Sequence, residues 1–138
     1  MKINQDIYKE LVQDISMIKI ILEGVNVKKS GLVVGPDPIK VELSYSCDKC
    51  DLLDCEIEFY ADFDVNLSND KEEELVNINF TFRATYNLSN LDRYEKEYIE
   101  KFRDKNVPVN VWPYAREFIS SITTRLGYPP LFIPPYGK

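Results

Sequence analysis

Between Leu53 and Leu88 apolar and polar side chains alternate with a period of two, interrupted once by a charged stretch. Odd positions carry Leu53, Cys55, Ile57, Phe59, Ala61, Phe63, Val65 and Leu67, and the even positions among them include Asp54, Glu56, Glu58, Asp62 and Asp64. Residues 68–74 form a charged turn, after which Val76, Ile78, Phe80, Phe82, Ala84, Tyr86 and Leu88 alternate with Asn77, Asn79, Thr81, Arg83, Thr85 and Asn87. Successive side chains of a strand point to opposite faces, so this pattern predicts two long strands, each with one apolar face. An antiparallel sheet of that kind must have its apolar side covered.

Upstream the period differs. Ile7, Tyr8, Leu11, Val12 and Ile15 recur at helical spacing behind Asn4, a residue suited to capping, which predicts a short amphipathic helix over residues 4–14. Ile18, Ile20 and Leu22 then alternate with Lys19, Ile21 and Glu23. Gly24 shifts the parity so that Val25 and Val27 continue a first strand, residues 16–29, through a bulge. Gly31, Gly35, Pro36 and Pro38 mark a loop, and Ile39, Val41, Leu43 and Tyr45 opposite Lys40, Glu42 and Ser44 predict a second strand over residues 39–46.

Downstream lies material to cover the sheet. Leu91, Tyr94, Tyr98, Ile99 and Phe102 form one stripe, with Asp92–Lys96 and Glu97–Lys101 pairs elsewhere, predicting a helix over residues 91–104. Pro108 ends it. A second helix presents Val111, Tyr114, Ala115, Phe118, Ile119, Ile122 and Leu126, with Pro113 in its first turn and Gly127 as its stop. Pro129, Pro130, Pro134 and Pro135, around Leu131, Phe132 and Ile133, direct the tail along an extended path. Four strands followed by two helices predict an α+β fold: a four-stranded antiparallel sheet with two C-terminal helices on one face plus a short N-terminal helix. No repeat or linker divides residues 1–138, which read as a single domain.

Composition narrows the function. Seventeen Lys and Arg against 23 Asp and Glu leave a net charge of -6, which disfavours nucleic acid as a partner. No apolar run approaches the length of a membrane span and the first residues lack a secretory pattern, so the expected location is the cytoplasm, without membrane insertion. Three cysteines, an odd number, fit a reducing compartment. The chain has no histidine, which removes the commonest general base, and its carboxylates lie along alternating strands or in charged turns. Gly31-Leu32-Val33-Val34-Gly35 lacks the lysine and hydroxyl of a phosphate-binding loop. The expectation is therefore a protein that is not an enzyme and has no cofactor. Cys47-Asp48-Lys49-Cys50 with Cys55 nearby is a candidate zinc site completed by Asp48, Asp51 or Asp54; it is placed in the turn between strands two and three and lacks a second pair of thiols or imidazoles. Redox use of the pair is disfavoured there, because no helix opens at the motif to lower a thiol pKa.

Val111-Trp112-Pro113-Tyr114-Ala115-Arg116-Glu117-Phe118-Ile119, followed by Gly127-Tyr128-Pro129-Pro130-Leu131 and then Pro134-Pro135, resembles the C-terminal signature of the SecB family of export chaperones. In that family an aromatic-Pro-Tyr-Ala-Arg-Glu stretch opens the long helix, a Gly-aromatic-Pro step ends it, and a Leu- and Pro-rich tail follows. The motif resemblance spans residues 91–135, and the strands agree in number, order and length.

The resemblance implies a homotetramer, a dimer of dimers, acting as an ATP-independent holdase that binds unfolded or precursor polypeptides and hands them to the Sec export machinery. It also leaves room for an alternative, a dedicated module such as a chaperone or adaptor for one toxin–antitoxin pair. The family's client groove implies client-binding roles for the apolar connection Val107, Val109, Val111 and Trp112, and for Phe80 and Phe82; Tyr60 joins them as an aromatic among acids. Ile18, Ile20 and Leu22 on the first strand are an expected oligomer interface, because an uncovered edge strand pairs with a copy of itself, and the resemblance implies that Val76 and Ile78 join it. Asp54, Glu56, Glu58, Asp62 and Asp64 make an acidic face suited to basic clients or to solubility. Arg116 and Glu117 are expected to be structural. The given sequence stops at Tyr136-Gly137-Lys138, so the resemblance does not reach the acidic, glycine-rich extension through which well-studied SecB proteins engage the motor SecA.

Overall fold

The computed structural model describes residues 2–32, 35 and 38–137; Val33, Val34, Pro36 and Lys138, named above, lie outside the described residues. The Asn4 side chain accepts hydrogen bonds from the Asp6 and Ile7 backbone N–H groups at 2.9 and 3.2 Å, capping helix α1, Gln5–Asp14. Strands β1 (Ser16–Lys29), β2 (Lys40–Leu52), β3 (Glu56–Ser68) and β4 (Glu74–Asn87) follow. A short 3-10 turn at Leu91–Arg93 then leads to helices α2 (Lys96–Lys105) and α3 (Val107–Arg125). This is the expected α+β order.

The strands form one antiparallel sheet in the order β1-β4-β3-β2. The two strands earliest in sequence thus occupy opposite edges, about 14 Å apart for three inter-strand spacings. The inner strands carry the core. Phe59 faces Ala84 and Ala61 faces Phe82, each ring against a small side chain, while Phe63 faces Phe80 and their rings stack at 4.9 Å. From α2, Phe102 meets Phe59 and Tyr86; from α3, Phe118 meets Phe80 and Phe82. Each large side chain buried there contributes roughly 1.5–3 kcal/mol, an upper figure because denatured chains already bury some surface.

Several boundaries depart from the sequence reading. Strand β2 runs to Leu52, so Cys47 and Cys50 lie within a strand rather than in a turn, and β3 begins at Glu56 rather than Leu53. The cause is a bulge: between the pairs Ser46–Asp62 and Lys49–Tyr60, Cys47 and Asp48 together oppose Ala61, which switches the inward positions from odd to even. The expected bulge at Gly24 is present between Leu22 and Gly24, and a second, unforeseen one leaves Ile18 unpaired between Met17 and Lys19.

The apolar connection over residues 107–112 is helical, because α3 starts at Val107. Pro108 at its second position needs no N–H there, while Pro113 stands inside the helix. Its missing N–H leaves the Val109 carbonyl without a helical partner, on a residue 53% exposed. At the far end Gly127, at φ 93°, adopts the left-handed conformation. Its N–H donates to the Thr124 carbonyl at 3.1 Å and that of Tyr128 to the Thr123 carbonyl at 3.0 Å, a Schellman motif that turns the tail back along α3.

Candidate functional site

Helices α2 and α3 cover the inner strands and leave both edge strands with half-open apolar stripes. On β2 the stripe comprises Val41, Leu43, Tyr45, Cys47 and Cys50, continued by Leu52, which is exposed. At the hairpin end it opens into a cleft of about 590 Å³ between Asp48, Cys50 and Leu52 on β2 and Lys96, Ile99, Glu100 and Arg103 on α2. Phe59, Leu91, Asp92 and Tyr94 complete the lining. Apolar walls beside a ring of charged groups give such a cleft both contact area and orienting contacts for side chains of another molecule.

Further along β2 the stripe becomes aromatic. Trp112, half-buried on α3, lies 5.6 Å from the Phe63 ring and 6.2 Å from that of Tyr45, and Tyr45 contacts Phe63 at 5.0 Å. The Tyr45 hydroxyl is buried, and its one polar neighbour among the described side chains is the Cys47 thiol, a weak hydrogen-bond partner. Burial, helped by the neighbouring Cys47 thiol, pushes its pKa far above the ordinary tyrosine value. Burial likewise pushes the Cys47 thiol up to about 11, and burial with Asp51 raises Cys50; Arg103 offsets part of the effect at both. Two thiols held protonated beside hydrophobic rings act as small apolar surface rather than as nucleophiles. Cys55 is exposed in the hairpin turn. Among the described residues no three His, Cys, Asp or Glu side chains are grouped so as to hold a metal ion, so the candidate zinc site from Cys47, Cys50 and Cys55 does not assemble.

The tail closes one side of this stripe. Leu131 N–H donates to the Thr123 hydroxyl at 3.2 Å, Arg116 Nε to the Ile133 carbonyl at 2.6 Å, and Trp112 Nε1 to the Pro134 carbonyl at 2.8 Å. Tyr136 packs edge-on against Trp112 at 5.1 Å. Behind the tail a hollow of about 710 Å³ borders Ser120, Ser121, Thr124 and Arg125. Thr124 donates to the Ser120 carbonyl and Arg125 to Ser121, so these groups are already engaged within α3.

The β1 stripe differs. Ile18 is 52% exposed, Leu22 38% and Val25 49%, along an edge that no other strand among the described residues covers. The face turned away from the helices is polar and internally paired: Arg83 bridges Glu58 at 2.7 Å and Glu23 at 3.1 Å, and Asp64 accepts from Asn77 and Asn79. Tyr60 sits there beneath Lys49, 4.4 Å from its ring centroid, and donates to Asp51.

Of the residues expected to bind clients, only Trp112 lies on the β2 stripe. Val107 and Val111 are fully buried on the inner face of α3, Phe80 and Phe82 are buried beneath Phe118, Val109 faces outward and Tyr60 occupies the polar face. Of the expected interface residues, Ile18, Ile20 and Leu22 lie on the β1 edge, whereas Val76 and Ile78 are fully buried on an inner strand. Tyr45, Tyr94, Ile99 and Arg103 are not singled out as site residues by the sequence, and Cys47 and Cys50 only as zinc candidates, since their grouping follows from strand order and from the bulge.

Comparison with known proteins completes the picture. A family model described as "Preprotein translocase subunit SecB" matches residues 4–136. Among solved structures, the chain is similar to a Mycobacterium tuberculosis SecB-like chaperone, Rv1957, solved in complex with a ChAD peptide from the Rv1956 HigA1 antitoxin. The TM-score is 0.86 at 16% identity, over 97% of this chain and 99% of that one. A Streptococcus agalactiae protein of unknown function aligns with 87% of this chain and 96% of its own at 10% identity and a TM-score of 0.41. No curated protein matches the sequence. Among the described residues no helix is long and apolar enough to cross a membrane.

Proposed function

The chain belongs to the SecB family, and on that premise we propose that it is an ATP-independent holdase that binds unfolded or precursor polypeptides along its β2 edge. The observation that carries this reading is the half-open apolar stripe from Leu52 to Val41, with Trp112 beside it and the charges of Lys96, Glu100 and Arg103 at its rim. An extended client chain offers alternate apolar side chains to such a stripe, and its backbone finds the unpaired N–H and C=O groups of an edge strand. The β1 edge serves self-association into a dimer and, by pairing of dimers, a tetramer, which joins several client stripes into a longer path. The work takes place in the cytoplasm, upstream of Sec-dependent export.

A second reading has its own support. The similar chaperone from M. tuberculosis is solved with a peptide from an antitoxin, which favours a dedicated partner peptide, such as that of a toxin–antitoxin pair, as the occupant of the same edge. Promiscuity separates the two. A holdase suppresses aggregation of several unrelated unfolded proteins at stoichiometric ratio without nucleotide, as read by light scattering. A dedicated module leaves them all unprotected and retains one partner. Unchanged aggregation of every client in large molar excess of this protein would sink the first reading.

A further inference from the structure

Besides the buried Leu11, helix α1 is held by polar contacts along α2 and its ends. The Asn4 N–H donates to the Tyr98 hydroxyl at 3.0 Å, Tyr8 donates to the Asn106 side chain, Arg93 bridges Glu10 at 2.6 Å, and Tyr94 donates to Asp14 at 2.6 Å. Of these partners of α1, Tyr94 alone also lines the cleft between β2 and α2. It is 6% exposed, and burial together with the hydrogen bond to Asp14 pushes its hydroxyl up to about 12, so it remains a donor.

Asp14 is the last residue of α1, and one residue, the buried Ile15, separates it from β1. The first two pairs of that strand, Ser16 with Asn87 and Met17 with Tyr86, precede the bulge at Ile18. The start of the β1 edge is therefore placed from two sides, by a short stretch of ladder and by the bond from Asp14 to a wall of the cleft. The other end of β1 is tied elsewhere: Lys29 donates to the Leu126 carbonyl at 2.7 Å and lies over the Tyr128 ring, at the far end of α3.

A side chain that borders a cavity turns into that cavity when its bond is released, and an occupant closes this option, which favours the bonded arrangement. A strand end fixed beforehand loses less freedom when it pairs with another copy. We propose that Tyr94 and Asp14 couple the cleft to the β1 edge, so that a peptide seated against Tyr94 strengthens self-association through β1. By the reciprocity of linked equilibria, assembly strengthens peptide binding by the same factor. This rests on the chaperone reading above and adds its regulation: the loaded protomer is the one that assembles. Tyr94 acts as a positioning residue, through Asp14, and not by contact with the second copy.

The test reads self-association by light scattering over a dilution series, with and without peptide. Overlapping short segments of reduced, carboxamidomethylated lysozyme supply peptides that do not bridge two copies, and protection of Cys50, which lines the cleft, from alkylation reports occupancy. With Cys50 protected, self-association of the unaltered chain should tighten about tenfold, within the usual range for coupled sites. Tyr94→Phe keeps the ring and loses the hydroxyl, and Asp14→Ala breaks the same bond from an exposed position; both should retain Cys50 protection and show no tightening. The double variant should add nothing to either single one, because both remove one interaction. Lys29→Ala should weaken assembly equally with and without peptide, leaving their ratio as in the unaltered chain. A chain that stays monomeric throughout, self-association unmoved while Cys50 is protected, or tightening that survives Tyr94→Phe would overturn the coupling and leave the chaperone reading standing. So would loss of the tightening in Lys29→Ala, which would assign the effect to β1 docking in general. Failure of every segment to protect Cys50 would instead remove the β2 edge as the client site, and the coupling with it.

Discussion

The two edges of the sheet are built from the same kind of strand and end up as different surfaces. Strand β1 presents isolated aliphatic residues, Ile18, Leu22 and Val25, on an edge bulged at Ile18 and again just before Gly24. Strand β2 presents a continuous stripe flanked by α2, Trp112 and the tail, with a single bulge that brings Cys47 and Cys50 to the same side. Under the proposed reading, an edge without walls suits another open edge, hence a copy of the chain, and an edge inside a trough suits a flexible guest. The difference teaches that covering elements, more than strand composition, set how much of an edge stays open.

That contrast requires the inner strands to hold the fold so that the edges are free for other uses. Phe59→Ala, which removes a buried ring between Tyr86 and Phe102, should lower stability by about 3–5 kcal/mol in denaturant titration, the largest effect of any substitution considered. Edge substitutions should barely move that midpoint. On β1, Leu22→Lys with Val25→Lys should leave a monomer of 16.1 kDa by light scattering after size exclusion, with client binding per protomer retained. A persistent oligomer would reassign the self-association surface.

On β2, alkylation followed by mass spectrometry should label Cys55 first and Cys47 last, because a thiol pushed up to about 11 by burial carries little thiolate near neutral pH. Bound client should slow labelling of Cys47 and Cys50 and leave Cys55 unchanged; equal protection of all three would place the client elsewhere. The smallest effect expected is that of Tyr45→Phe. Removing a buried hydroxyl whose one polar neighbour is the Cys47 thiol should leave the melting temperature unchanged or raise stability by up to about 1 kcal/mol. A clear loss would reveal a stronger partner for that oxygen.

The strands were legible because period-two alternation survives any tertiary context, and Asn4 and Gly127 announced helix ends through caps whose geometry is local. The family resemblance came from one helix and its stop, and the match over residues 4–136 bears it out. What sequence did not disclose was non-local. Nothing in β1 or β2 says that they sit at opposite edges, and the parity change at Cys47 and Asp48 made the end of β2 look like a turn. Pro108 and Pro113 made the start of α3 look like a loop, although a helix tolerates the first and surrenders one carbonyl to the second. Trp112 borders the β2 stripe, whereas its neighbours Val107 and Val111 point inward because they belong to the buried face of α3.

The crossover from β1 to β2 has a kinetic corollary. Strand β1 is made early yet pairs only with β4, Ser16 with Asn87 at one end and Lys29 with Val76 at the other. Contacts so distant along the chain cannot form until the ribosome has released the second hairpin strand, so folding should be slow for a domain of this size and should end with β1 docking. For much of its own synthesis this protein is an open, aggregation-prone chain with an adhesive N-terminal strand.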